Sequence, residues 1–176
     1  MQAFKQLGVS DALLQGIAAL GFETPTPVQE LVIPAALQTD DDLIALAQTG
    51  TGKTAAFGLP LLQRIDHAIR GLQGLVLCPT RELCVQVASD LENYSQFAHQ
   101  YKVVAVYGGA SIETQIRQIK AGAQIVVATP GRLADLIERG IARLENVERV
   151  VLDEADEMLN MGFKDELDGI LGKVIA

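Results

Sequence analysis

Val150-Val151-Leu152-Asp153-Glu154-Ala155-Asp156 joins three aliphatic residues to a cluster of carboxylates. A short apolar run predicts a buried strand, and a carboxylate at the end of a strand can meet a hydrated cation where the sheet opens to solvent. A second apolar run, residues 43–46, leads into Ala47-Gln48-Thr49-Gly50-Thr51-Gly52-Lys53-Thr54. Because such a loop cradles phosphates and an acidic strand end handles metal and water, the two stretches together predict a nucleoside triphosphate site.

The composition predicts one intracellular domain. Its 176 residues, of which 49% are hydrophobic, can bury about 70% of the unfolded surface in a single core. No stretch reaches the roughly 20 apolar residues of a membrane span, and the N-terminus has no signal-peptide layout. Cys78 and Cys84 fit neither a metal-ligand spacing nor a disulfide framework, so we expect buried thiols. These features predict a soluble, cytoplasmic protein without membrane contacts.

The charge balance limits how the chain could hold nucleic acid. It has 14 Lys and Arg residues against 22 Asp and Glu, a formal net charge of −8. Proteins that bind nucleic acid mainly through bulk electrostatics tend to be basic. Any nucleic acid must therefore be held locally, by a few arginines and backbone amides, with help from a basic partner domain.

Short apolar runs alternate with longer amphipathic segments from residue 43 onward, which predicts strands separated by helices. Such an alternation implies right-handed crossovers and a mainly parallel sheet. We therefore predict a single three-layer α/β domain over residues 1–176, with helices on both faces of the sheet. Residues 1–42 would form its helical N-terminal segment and residues 43–176 its core. The predicted strands are residues 43–47, 75–78, 103–107, 125–128 and 150–152.

Two helices are predicted before the first strand. Ser10-Asp11 can begin a helix that Gly21 ends. In Thr26-Pro27-Val28-Gln29 the threonine is a candidate N-cap, the proline takes the first helical position, and the glutamine completes a capping box. Pro34 is expected to kink or shorten this second helix.

Gly, Pro, Thr and charged residues are concentrated at the predicted strand-to-helix turns. In a parallel sheet these turns lie at the carboxyl edge, where ligands bind close to helix N-termini and their free amides. A turn-forming role alone would spread Gly, Pro and Thr over both edges. The turns are the Gly-Lys-Thr loop, Pro79-Thr80-Arg81-Glu82-Leu83, Gly108-Gly109, Thr129-Pro130-Gly131-Arg132 and the Asp153 cluster.

The loop that ends in Gly-Lys-Thr has the residue types that phosphate binding needs. Gly50 and Gly52 let successive amides point at phosphate oxygens. Lys53 adds a positive charge at the β and γ phosphates, and the Thr54 hydroxyl can ligate Mg²⁺. The alternative is a chance Gly-rich turn, which the order of strand, loop and helix disfavours. Ala47 stands where the general pattern has Gly.

The carboxylates after the last strand have separate predicted roles. Asp153 would hold Mg²⁺ through its water shell, and Glu154 would orient and deprotonate the attacking water. Asp156 lies beyond the strand end and is expected to organise the site without binding metal. The alternative is a solvent-exposed acidic run, which would be favoured if the loop at Lys53 were absent.

These motifs resemble those of the first RecA-like domain of a DEAD-box RNA helicase, and the resemblance runs from Phe4 to the C-terminal end. Asp153-Glu154-Ala155-Asp156 spells the family name, and the loop from Ala47 to Thr54 matches the family's phosphate loop, its alanine included. The resemblance implies an ATP- and Mg²⁺-dependent hydrolase. Its catalytic residues would be Lys53, Asp153 and Glu154, its metal would meet Thr54 and Asp153, and every residue from Ala47 to Thr54 would bind nucleotide.

The segment from Gly21 to Gln29 is similar to the family's glutamine motif. The resemblance implies that Gln29 reads the adenine edge, that Phe22 and Thr24 flank the nucleotide, and that Phe4 packs on the base. A Gln amide offers both a donor and an acceptor. This pair suits the exocyclic amine and a ring nitrogen of adenine, and it would select ATP over GTP. The capping box remains the alternative role of Gln29, and both roles can hold in part.

The resemblance also implies single-stranded RNA contacts at three of the turns. Such contacts reach the sugar-phosphate backbone, so binding would be independent of sequence, and a ribose 2′-hydroxyl would distinguish RNA from DNA. A structural pair with Glu82 is the alternative role of Arg132. The implied RNA-binding residues are Pro79, Arg81, Gly109, Thr129, Arg132 and, at the 2′-hydroxyl, Asp135.

The family's next motif, a Ser-Ala-Thr, and its second RecA-like domain do not occur in the 176 residues. We therefore expect half an enzyme, monomeric, that binds adenine nucleotide weakly and RNA more weakly, with Asp156 coupling to the second domain. A non-helicase P-loop enzyme is one alternative, although a GTPase would need an Asn-Lys-x-Asp tetrapeptide that the chain lacks. The other is a non-catalytic nucleotide-binding interaction module. His67 and His99 have no paired ligand spacing and are expected to be solvent-exposed.

Overall fold

The computed structural model describes residues 1–98 and 101–175, so His99 lies outside the described part of the chain. The chain divides into two compact units. The first unit comprises Met1–Ile65 with Ser89–Tyr101, and the second comprises Asp66–Ala88 with Lys102–Ala176. This division differs from the expected segments 1–42 and 43–176, because the helix after the Gly-Lys-Thr loop packs on a helix of the N-terminal segment.

The first unit is helical. Its helices are α1 (Gln2–Gln6), α2 (Asp11–Ala19), α3 (Pro27–Gln38) and α4 (Lys53–Gln63), and α5 (Arg81–Tyr94) begins in the second unit and ends in the first. Helices α2 and α3 begin where the sequence predicts, after Ser10 and Thr26. Four apolar side chains are fully buried: Phe4, Leu13, Ile17 and Ile33.

Hydrogen bonds to glutamine side chains lie at the starts of α2 and α3. Thr26 caps α3 through a complete capping box with Gln29, as predicted. Ser10 is the N-cap of α2, but its side chain makes no capping bond, and its amide donates instead to Gln63 Oε1 at 2.9 Å. Helix α3 continues through Pro34 to Gln38, so the expected shortening at this proline is wrong.

The predicted strand at residues 43–47 is not formed. Its backbone pairs with no strand of the described residues, and its side chains are exposed, with Ile44 at 93% and Leu46 at 95%. An apolar run becomes a strand only when a neighbouring strand satisfies its amides and carbonyls. The segment instead forms one wall of an apolar groove of about 470 Å³, and residues of α3 including Leu31 form the other.

The second unit carries the sheet. Its four strands are parallel, in the order β2-β3-β1-β4. The strands are β1 (Gly74–Leu77), β2 (Val103–Val106), β3 (Ile125–Ala128) and β4 (Arg149–Leu152), and the helices are α6 (Ile112–Lys120), α7 (Pro130–Glu138), α8 (Ala155–Asn160) and α9 (Lys164–Ile175). Four of the five predicted strands are therefore confirmed, with small differences at their ends. The expected burial of the last strand is wrong, because β4 is half-buried and Leu152 is exposed.

The register of the sheet aligns the carboxyl ends of the four strands. Leu77 lies opposite both Ala128 and Leu152, and Val106 also lies opposite Ala128. The residues that follow continue the ladder, because Asp153 donates its amide to the Leu77 carbonyl at 2.9 Å, and Thr129 donates to Val106 at 3.1 Å. The prediction that the unusual turns share one edge is thus confirmed for the four turns of this unit.

Both cysteines are fully buried thiols, as expected, and neither forms a disulfide. A hydrogen bond with Cys84 and burial raise the pKa of Cys78, and the charges of Asp153 and Glu154 raise it further. Cys78 therefore remains a neutral thiol that packs as a small apolar side chain. No helix of residues 1–98 and 101–175 is long and apolar enough to cross a bilayer.

Gly16 allows α2 to pack closely in the first unit. A Cβ at this position would lie 1.9 Å from the Tyr94 carbonyl oxygen, so Gly16→Ala should lower the free energy of unfolding by at least about 1–3 kcal/mol. Gly169 also lies within a helix, α9, but a Cβ there would have no neighbouring atom within 4 Å. Gly169→Ala should therefore raise stability by up to about 1 kcal/mol. Urea unfolding of the two variants tests this; equal gains in both would contradict it.

Candidate nucleotide and RNA sites

The Gly-Lys-Thr loop ends at the N-terminus of α4 in the first unit. Gly50 and Gly52 have positive φ angles of 78° and 83°, conformations that L side chains rarely adopt, and Gly52 is the N-cap of the helix. The Thr51 hydroxyl donates to the Gln48 carbonyl at 2.6 Å and tightens the turn. Lys53 opens the first turn of the helix, whose free amides and dipole favour an anion. The loop therefore presents backbone groups that favour an anion such as phosphate, and phosphate binding by it stays a prediction.

Gln29 is 2% exposed and ties α3 to this loop. Its Oε1 accepts from the Thr26 amide at 2.9 Å, and its Nε2 donates to the Gly52 carbonyl at 3.1 Å. The backbone amide of Gln29 in turn donates to Thr26 Oγ1 at 3.5 Å. The capping box is thus present, and the same side chain also contacts the phosphate loop. Reading of adenine by Gln29 stays a prediction, which the remaining amide hydrogen and lone pairs permit.

The aromatic residues of the glutamine motif pack within the first unit. The Phe4 and Phe22 ring centroids are 6.2 Å apart, and Phe22 meets Tyr94 edge-on at 5.9 Å. Phe4 has no exposed surface, Phe22 is half-buried and Thr24 is exposed. Stacking of Phe4 on a base would require its ring to be uncovered, so that role stays a prediction.

The acidic stretch follows β4 in the second unit. Asp153 is 8% exposed, and its backbone continues the ladder to β1. Glu154 adopts the left-handed conformation at φ 53°, the sole positive φ of a non-glycine residue within the described chain, and it is the N-cap of α8. Asp156 is exposed in the first turn of α8. A nearly buried carboxylate beside a strained one is typical of a site that binds metal and water.

Arg81 and the loop after β2 meet through a cation–π contact. The Arg81 guanidinium lies 5.0 Å from the centroid of the Tyr107 ring. Arg81 is exposed at the start of α5, Gly109 is exposed with φ 82°, and Pro79 is buried. The aromatic ring holds the arginine at the carboxyl edge while leaving its other face open to solvent.

Arg132 lies in the first turn of α7 and makes no ion pair with Glu82, so this alternative role is not supported. Its Nη1 donates to Gln115 Oε1 at 2.8 Å and to the Ala110 carbonyl at 3.3 Å, and its Nη2 donates to the same carbonyl at 3.4 Å. Asp135 accepts from Arg139 Nε at 2.9 Å. A ribose hydroxyl would therefore compete with an arginine for Asp135.

A family model described as DEAD/DEAH box helicase matches residues 26–175. The chain belongs to this family. The resemblance drawn from the motifs is therefore confirmed.

Curated relatives are longer than this DEAD-box chain. It is 51% identical over 174 residues to the DEAD-box ATP-dependent RNA helicase CshA of Bacillus cereus, covering 99% of the chain and 33% of the relative. It is 49% identical over 176 residues to the ATP-dependent RNA helicase CshA of Listeria monocytogenes, covering 100% of the chain and 34% of the relative. The chain thus spans about a third of the length of these relatives.

Solved DEAD-box structures share the fold. A DEAD box protein from the hyperthermophile Methanococcus jannaschii superposes with a TM-score of 0.92 at 44% identity, covering 97% of this chain and 46% of that one. The RNA-helicase Prp28 from Chaetomium thermophilum bound to ADP gives 0.87 at 41% identity, covering 97% and 43%. The predicted RecA-like α/β fold is confirmed.

Two residues of this DEAD-box domain contact candidate RNA-binding arginines although the sequence does not predict it. Tyr107 belongs to none of the quoted motifs, yet the Arg81 guanidinium lies over its ring. Gln115 belongs to none of the motifs, yet it bonds to Arg132. One signal is present in the sequence, because Gln115 interrupts the apolar stripe of Ile112, Ile116 and Ile119 on α6, and a polar residue on such a stripe requires a buried partner.

Gly50 and Gly52 allow the contact of the phosphate loop with Gln29 to be tested. A Cβ at Gly52 would lie 2.4 Å from Gln29 Nε2, whereas nothing lies within 4 Å of one at Gly50. Both alanine variants suffer the left-handed strain of about 1–2 kcal/mol. Gly52→Ala should lower the free energy of unfolding by roughly 1–3 kcal/mol more than Gly50→Ala, because Gln29 is buried and hydrogen-bonded. Thermal unfolding without nucleotide measures the difference, and equal losses would exclude the contact.

The positive φ of Glu154 predicts that glycine is more stable than alanine at this position, the reverse of the usual order in a helix. Glu154→Gly should be more stable than Glu154→Ala by about 1 kcal/mol, since only glycine adopts φ 53° without cost. At Glu157, which lies within α8, alanine should be the more stable variant by a similar amount. Urea unfolding of the four variants gives both differences. The same preference at both positions would show that Glu154 is unstrained.

Proposed function

We propose that this chain is the ATP-binding half of a DEAD-box RNA helicase, in which ATP binding and hydrolysis drive sequence-independent RNA binding and local duplex unwinding. The observation that carries the proposal is the shared edge of the sheet. Asp153 and Glu154 follow β4 at the same edge as Arg81 after β1, Gly109 after β2 and Arg132 after β3. Residues suited to hydrolysis and residues suited to RNA therefore belong to one rigid ladder.

The phosphate loop supplies the nucleotide contacts of this proposal. Its amides and Lys53 neutralise the phosphates, and Gln29 is placed against the Gly52 carbonyl, where a purine base could exchange hydrogen bonds with the amide. Oxygen ligands suit Mg²⁺, and each unit offers one: the Thr54 hydroxyl at the start of α4 in the first unit, and the Asp153 carboxylate after β4 in the second. Bound Mg²⁺ would neutralise charge on the phosphates.

Hydrolysis is assigned to Glu154. The left-handed backbone at Glu154 departs from the extended course of β4, and the residue is only half-buried, so water can reach it. A carboxylate in this position can orient a water molecule and accept its proton as the water attacks the γ-phosphate. Asp156, exposed on α8, would couple this event to a second RecA-like domain of the parent protein.

RNA would be held by its backbone. Arg81 and Arg132 offer charged donors, the exposed Gly109 allows close approach of a phosphate, and Thr129 begins α7 with a free hydroxyl at its N-terminus. None of these groups reads a base edge, which supports binding independent of sequence. Asp135 would recognise the 2′-hydroxyl after release from Arg139.

The chain alone is proposed to be an incomplete enzyme. It spans about a third of the relatives named as ATP-dependent RNA helicases, and arginines from a second domain contribute about 10³ to 10⁵ in rate in related phosphoryl transfers. We therefore propose a cytoplasmic, monomeric parent protein in which this half binds nucleotide but hydrolyses and unwinds poorly without the other half.

Nucleotide titration and ATPase assays test the proposal. The chain should bind ATP and ADP more tightly than GTP, and RNA should stimulate hydrolysis at least about tenfold only in the full-length parent protein. Glu154→Gln in that protein should abolish hydrolysis while leaving ATP binding intact, whereas Glu157→Gln, an exposed neighbour on α8, should change neither. Equal affinity for GTP would remove the adenine preference. A full-length parent protein whose rate of ATP hydrolysis did not change on adding RNA would contradict the helicase assignment.

A further inference from the structure

Gln115 is a buried residue whose side-chain amide makes hydrogen bonds to two of the turns proposed to contact RNA, the turn after β2 and the first turn of α7. It lies near the middle of α6 and is 4% exposed. Its Nε2 donates to the Tyr107 carbonyl at 3.1 Å, in the turn that precedes Gly109. Its Oε1 accepts from Arg132 Nη1 at 2.8 Å. One side chain thus joins the loop after β2 to the first turn of α7.

The contacts of Arg132 leave its positive charge uncompensated. Its hydrogen bonds go to Gln115 Oε1 and to the Ala110 carbonyl, which are both neutral oxygens. Within residues 1–98 and 101–175 it makes no ion pair, in contrast to Arg139 in the same region of the chain. These bonds fix the plane of the guanidinium, while its remaining N–H groups are left to bind an anion.

Packing alone does not account for a glutamine at this position. The neighbouring members of the apolar stripe are Ile112, Ile116 and Ile119. An aliphatic residue at position 115 would fill the same space without the cost of burying an amide, whose hydrogen bonds contribute only about 0.5–1.5 kcal/mol net. The amide provides what an isoleucine cannot, a fixed orientation for Arg132.

We infer that Gln115 is a positioning residue for RNA binding, which holds the Arg132 guanidinium toward an RNA phosphate and locks that arginine to the turn containing Gly109. The inference rests on the proposed function. It also links the two arginines, because the Tyr107 residue whose carbonyl accepts from Gln115 carries the ring against which Arg81 lies. The positions of Arg81 and Arg132 are therefore set together, although they follow different strands.

The test measures the salt dependence of RNA binding. Anisotropy of a labelled single-stranded oligouridylate is titrated with the chain and with the full-length parent at KCl concentrations from about 20 to 200 mM. Gln115→Met should weaken binding roughly tenfold at low salt, the loss of one charge-assisted contact. It should also reduce the slope of log K against log salt by about 0.7, the value for one phosphate contact on a single strand.

Gln118→Met is the matched control. Gln118 lies on the same helix but is exposed, so affinity and slope should both stay at parental values. A merely structural role of Gln115 would lower the amount of folded protein or the affinity without changing the slope. Urea unfolding of each variant separates the folded fraction from the binding constant.

Two further variants connect the effect to Arg132. In an Arg132→Ala background, Gln115→Met should cause a clearly smaller loss than in the parental protein, because the main residue that it positions is absent. Gln115→Glu keeps an acceptor for Arg132 but cancels its charge, so it should reduce the slope even if the methionine variant fails to fold.

The outcomes distinguish the inference from the function on which it rests. An unchanged slope in Gln115→Met or in Gln115→Glu, or additive losses with Arg132→Ala, would overturn the positioning role while RNA binding by the parent leaves the proposed function standing. A parent protein that binds no RNA at any salt concentration would overturn the proposed function and the positioning role together.

Discussion

The parallel register of the sheet is the constraint on which the second unit depends. Leu77 at the end of β1 lies opposite Ala128 on one side and Leu152 on the other, so three strands end at the same level, and β2 joins them through Val106. A slip of one residue would turn every side chain to the opposite face of the sheet. Each motif of the second unit lies at the carboxyl edge of the sheet because the strand before it ends there.

Two buried glutamines connect helices to functional loops. Gln29 joins α3 to the phosphate loop, and Gln115 joins α6 to the turns that carry Gly109 and Arg132. Both amides are almost fully buried, and in both the oxygen and the nitrogen have protein partners. A buried amide is stable only with such partners, so each one ties the position of a loop to the packing of a helix. The positions of these loops therefore depend on how two helices pack.

The strands of the second unit and the starts of α2 and α3 could be predicted from the sequence, because a run such as Ile125–Ala128 or a cap such as Thr26 acts on its own backbone. The same reasoning failed for residues 43–47. Their apolar character is real, but it does not specify a neighbouring strand, and the described residues provide none. It also missed Gln115, whose partners lie 8 and 17 residues away along the chain.

The sequence by itself determined the family, the order of strands and helices in the second unit, and the chemical groups available at each turn. These follow from local preferences of the backbone and from motifs whose residues are adjacent. Tertiary structure decided which groups meet: Gln29 with Gly52, Arg81 with Tyr107 and Arg132 with Gln115. The physical reason is that a buried hydrogen bond between distant residues depends on how helices pack on the sheet, and no local pattern records that packing.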